Sequence, residues 1–114
     1  MKVEALTERG VTLRMPFSTN LCRSEGEICE AAVASAADTA MLIAISSAMR
    51  QYTPVEAIDI SVNHACRITC SDALFDAEVI RLGRSIACCT ATVRDVESGK
   101  TAAVASGTFA LSPS

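Results

Sequence analysis

Apolar and polar positions change their period once along this chain, at Pro54. Upstream, Val11 to Phe17 reads as a short strand that Pro16 interrupts or ends, which predicts an edge position because proline donates nothing to a ladder. Polar Ser18-Thr19-Asn20 follows. Ser24 and Glu27 then form an S-x-x-E capping box, and Glu25, Glu27 and Glu30 put negative charge where a helix start favours it. From there to Arg50 the chain is rich in alanine, without glycine or proline, and apolar on most sides. The pattern predicts one helix over residues 27–50, surrounded rather than amphipathic, with Arg50 complementing the dipole and Pro54 marking the stop.

Downstream of Pro54 the period is two. Ile58, Ile60 and Val62 alternate with Asp59, Ser61 and Asn63, and Phe75, Ala77 and Val79 alternate with Asp76 and Glu78. Turn signals recur at Leu82-Gly83-Arg84 and Glu97-Ser98-Gly99-Lys100, and Thr101 to Leu111 is extended. One strand, one long buried helix and four antiparallel strands follow, an α+β arrangement. A single antiparallel sheet curled around the helix is the economical way to bury it. The expected unit is one domain over residues 1–114, since 114 residues leave little room for a second.

Composition narrows the function. Half the residues are apolar, which excludes disorder. A formal charge of −3 without a like-charge run, and an aromatic set of one Tyr, three Phe and no Trp, exclude a nucleic-acid surface. The charged start Met1-Lys2-Val3-Glu4 has no apolar signal region. Ala31 to Met49 has the length of a membrane span but carries Asp38 near its middle, so a core helix is expected and no membrane partner. Six cysteines without a secretory signal point to a reduced, cytoplasmic protein. Cys88 and Cys89 should face opposite ways on one strand. Cys66-x3-Cys70 and the lone His64 make no metal set, and neither metal nor cofactor is expected.

Asp38 carries chemistry on its own account. A carboxylate in an Ala/Met/Leu/Ile helix must be paired, protonated or facing a cavity. The plainer reading bonds it to Ser35 or Thr39 at a helix edge.

Four segments, in order, resemble the hotdog-fold acyl-CoA thioesterases, in particular the phenylacetate-pathway type. Gly26-Glu27-Ile28-Cys29-Glu30-Ala31 with Ala36-Ala37-Asp38-Thr39-Ala40 is similar to the G-x-x-H-G-G…L-A-D-T-A helix. Ile58-Asp59-Ile60-Ser61-Val62-Asn63 is similar to the V-D-L-N-V-N strand. Arg81-Leu82-Gly83-Arg84-Ser85 is similar to the R-L-G-R-T hairpin, and Gly107-Thr108-Phe109-Ala110-Leu111 to the closing G-T-F-A-L strand. The family's histidine falls on Cys29, its two glycines on Glu30 and Ala31, its preceding asparagine on Arg23, and a strand Ser or Thr on Ala57.

The resemblance implies hydrolysis of an acyl-CoA thioester without cofactor. Asp38 would act as general base or as nucleophile, and backbone amides at Glu30 and Ala31 would hold the oxyanion. Asn63, Arg84, Ser85 and Cys29 are the expected substrate contacts. Arg84, with Arg81 and Lys100, would meet the coenzyme A phosphates. As a thiol at a helix start, Cys29 is also a candidate nucleophile, with simple packing as the alternative. A non-catalytic hotdog domain that binds acyl-CoA or mediates assembly is the rival reading. A hotdog hydratase lacks an evident Asp/His pair around His64. Cys29 and Asp38 lie nine residues apart, about 13 Å of helical rise and nearly opposite faces. A site using both therefore implies a homodimer, or a homotetramer built as a dimer of dimers.

Overall fold

The computed structural model describes residues 1–18, 28–50, 54–68 and 70–111. Two strands, β1 (Lys2–Leu6) and β2 (Gly10–Met15), precede one helix, α1 (Glu30–Met49). Four strands follow: β3 (Val55–His64), β4 (Ala73–Leu82), β5 (Ile86–Asp95) and β6 (Thr101–Leu111). All six form one antiparallel sheet in the order β1-β2-β4-β5-β6-β3. This is the hotdog arrangement of a sheet wrapped on a single long helix.

Alternation decides which residues meet the helix. Leu13, Phe75, Val93 and Ala103 form one register row across β2, β4, β5 and β6, all buried, and the row ends on His64 in β3. The adjacent outward row runs Thr12, Asp76, Thr92, Val104 and ends on Asn63. On α1 the buried residues are Val33, Ala36, Ala37, Ala40, Met41, Ala44 and Ile45, a stripe at helical spacing. Its alanines let the helix lie close to the sheet. Gly107 completes the fit: a Cβ there would stand 2.7 Å from the Phe109 ring and 3.2 Å from Met41 Sδ.

Several expectations are corrected. The strand over Val11 to Phe17 is interior, not an edge, because β1 pairs with it and Pro16 lies just past its last residue. β1 itself was not expected. The helix begins at Glu30, since Cys29 is extended (φ −63°, ψ 134°) and Ile28 bridges to Ile68. The Ser24–Glu27 capping box and Arg23 lie outside the described residues. Within one chain α1 is not surrounded: it packs mainly on β2, β4 and β5, and its far side is half-buried. Its length and apolar composition would suit a membrane span, yet the Val33–Ile45 stripe lies against the sheet as in a core helix. Arg50 ends it in the left-handed conformation (φ 60°), its N–H bonded to Ser47 O.

Candidate active site

The start of α1 offers free donors. Cys29 O accepts from Ala32 N–H at 3.0 Å and Val33 N–H at 3.2 Å, while Cys29 gives no side-chain cap. Among the described residues nothing accepts from the N–H groups of Glu30 or Ala31. Two unpaired amides at the positive end of a 20-residue helix suit a developing negative charge.

Asp38 lies eight residues on from Glu30, about 12 Å further along the axis. Its Oδ1 is buried and takes no hydrogen bond from a described residue. An orphaned buried acceptor costs about 1–3 kcal/mol. Thr39 does not satisfy it, because the Thr39 hydroxyl donates to Ser35 O at 3.1 Å. At about 100° per residue Ser35 lies about 60° from Asp38 and Thr39 about 100°, so Asp38 borders the face that Ala32, Ser35 and Thr39 present. Those three line a cavity of about 500 Å³ with Met15 and Phe17 beside β2. On β3, Ile60 and Val62 face the helix layer only half-buried.

The remaining expected residues are not gathered at one point. Cys29 adjoins the free amides. Asn63 and Asp59 share the outward face, paired with Val104 and Thr108, so Asn63 does not face the helix layer. Arg84 and Ser85 line a separate cavity of about 390 Å³ at the β4–β5 hairpin with Arg81 and Cys88. Lys100 sits in the β5–β6 turn, its N–H donating to Ser98 Oγ. Among the described residues no three His, Cys, Asp or Glu side chains converge as a metal would need.

His64, which sequence reasoning set aside as a lone histidine, does reach the helix start. Its Nε2 lies 3.4 Å from Glu30 Oε2. Both line a cavity of about 240 Å³ with Ile28, Val33, Cys66 and Ile68. The available signal was parity: once Asn63 faces outward, its neighbour must face in.

Sheet, helix and helix-start donors together define a hotdog protein. Residues 26–102 match the family model of the Thioesterase superfamily, and the chain belongs to that superfamily. The match reaches the superfamily, not its phenylacetate-pathway branch. No curated protein matches the sequence significantly. Among solved structures the chain is similar to zebrafish thioesterase superfamily member 2 (22% identity over 96% of this chain and 80% of that one, TM-score 0.89). It is similar also to a thioesterase from Haemophilus influenzae (23% identity, 96% and 76% covered, TM-score 0.87). A hypothetical thioesterase protein from Streptococcus pneumoniae, solved with coenzyme A, matches at 12% identity, 97% and 84% covered and a TM-score of 0.88. At these identities the likeness is one of fold.

Proposed function

We propose that this chain hydrolyses acyl-CoA thioesters as a cytoplasmic dimer or dimer of dimers, using water and no cofactor. The observation that carries the reading is the buried, unpartnered Asp38 Oδ1 on the same helix as two unpaired amides. A carboxylate kept without a partner suits a group that must meet a water or a carbonyl carbon. The Glu30 and Ala31 amides suit the oxyanion that forms when the thioester carbonyl is attacked. Arg81 and Arg84, on an acidic protein, supply a local basic patch for coenzyme A phosphates. The five described cysteines are free thiols, in keeping with a reducing compartment.

Donors and base are too far apart along one helix to serve one carbonyl. A second chain, joined along the exposed edge strand β3 with its helix antiparallel, would bring its Asp38 to this chain's helix start. The exposed Ile58 and the half-covered Ile60 and Val62 give that edge an apolar character that suits a partner.

The test is thiol release from a panel of acyl-CoAs. Asp38→Asn keeps the shape and removes the base, so kcat should fall roughly a hundredfold or more. An Asn variant with unchanged turnover refutes the role. Single-turnover hydrolysis in 18O-labelled water that places label in Asp38 establishes a route through an anhydride, since general-base catalysis leaves the Asp38 oxygens unexchanged. The rival reading, a binding or assembly domain, is favoured by Glu30 standing where the family carries glycine; binding of acyl-CoA with no thiol release would establish it.

A further inference from the structure

Glu30 poses an electrostatic problem at the proposed oxyanion site. A carboxylate on the first residue of α1 suits the helix dipole in the resting protein. Once an alkoxide forms on the Glu30 and Ala31 amides, the same charge repels it from a few Å away. Like charges at such a distance in a medium between water and protein interior act on a rate by one or more powers of ten. The family pattern avoids this with glycine, and this chain does not.

The geometry points to His64 as the residue that removes the conflict. It is a positioning residue: it holds the Glu30 carboxylate toward β3 and away from the oxyanion donors. This inference rests on the thioesterase reading above. Three observations converge on it. His64 Nε2 is 3.4 Å from Glu30 Oε2, within ion-pair distance of the carboxylate when the ring is an imidazolium. The His64 side chain is 27% exposed against 63% for Glu30, so the imidazole is the anchored member and the carboxylate the one drawn over. The anchoring comes from the sheet: His64 closes the Leu13–Phe75–Val93–Ala103 row, whose other members are buried.

The pair also borders the cavity beside Ile28 and Val33, so the carboxylate has a place to lie that is not the amide face of the turn. The other titratable groups lining that cavity are Cys66 and Arg67 on the segment after β3. None lies on α1 beyond Glu30, and β6 contributes only Ala102. Glu30 and His64 thus behave as one unit, a substitution in the helix turn compensated from the neighbouring strand.

The experiment is a two-by-two set of variants, wild type, His64→Gln, Glu30→Gln and the double variant, assayed on the acyl-CoA that wild type hydrolyses fastest. Circular dichroism and melting temperature check that each is folded. His64→Gln in the wild-type background should lower kcat about tenfold with KM changed less than about twofold, because the freed charge acts on the transition state. In the Glu30→Gln background the same change should lower kcat less than about twofold, since no charge remains to be held. An equal loss in both backgrounds, no loss in either, or a loss carried by KM overturns the positioning role while leaving the thioesterase reading intact. If His64→Gln fails to fold, His64→Asn at the same exposed strand end is judged by the same comparison. A wild type without thioesterase activity overturns the underlying reading and this inference with it.

Discussion

At Cys89, burial to 2% exposure pushes the thiol up to about 12, and the neighbouring Cys88 adds to the rise. The sulfur therefore stays protonated near neutral pH and behaves as a small apolar side chain packed under α1. Cys66 and Cys70 are exposed, so the three sulfurs should part company under a thiol reagent. With iodoacetamide at pH 8 and peptide mass spectrometry, Cys66 and Cys70 should label while Cys89 gains less than about a tenth of their modification. Denaturant should abolish the difference, and rapid labelling of native Cys89 would contradict its place in the core. Residue-scale reasoning also explains which chemistry could be foreseen. Asp38 was legible because one charge in an alanine-rich helix has few innocent explanations. Its missing partner was not, since it depends on Thr39 choosing Ser35 O instead.

Among elements, β1, β2 and the strand that β2 joins are fastened by charge. Asp72 accepts the Phe17 N–H at 2.7 Å and Arg14 Nη1 at 2.8 Å, and Arg14 also pairs with Glu4 of β1. The Phe17 N–H, then Arg14, hold the Asp72 carboxyl below its ordinary 3.8. A folded value below the unfolded one means the contribution is complete above the unfolded value and fades as pH falls through the folded one. Asp72→Asn should therefore lower the urea midpoint at pH 7, and the gap to wild type should narrow as pH falls below the ordinary carboxylate range. A gap independent of pH would assign the effect to something other than ionisation. The elements differed in how plainly the sequence announced them. β3 to β6 showed period two because one face of each meets a core or partner layer. β1 did not, since all of Lys2 to Leu6 is exposed and no face selects an apolar set. The edge assignment of β2 failed because Pro16 follows Met15 and so withholds an N–H the ladder never requests. His64 escaped notice for a related reason: its role needs strand parity and a helix start from a distant segment at once.

For the whole molecule, the proposed site needs two chains, and this fixes what mixing should do. Light scattering at micromolar concentration should give at least twice the 11.9 kDa chain mass. Asp38→Asn chains mixed with chains carrying a bulky substitution at Ala31 should regain activity, because one of the two shared sites in a mixed dimer receives both intact parts. A monomer with full activity would refute the sharing. The sheet has two open edges, β1 and β3, and β1 breaks register between Val3 and Ala5, with Glu4 at the break. A twofold contact through β3 consumes the surface that made it, and only β1 edges remain outside. A bulged edge with a charge at the irregularity is a poor template for adding another strand. If two chains join through β3 as proposed, growth by strand addition stops after that one event, and the irregularity in β1 acts as a chain terminator against a fibre.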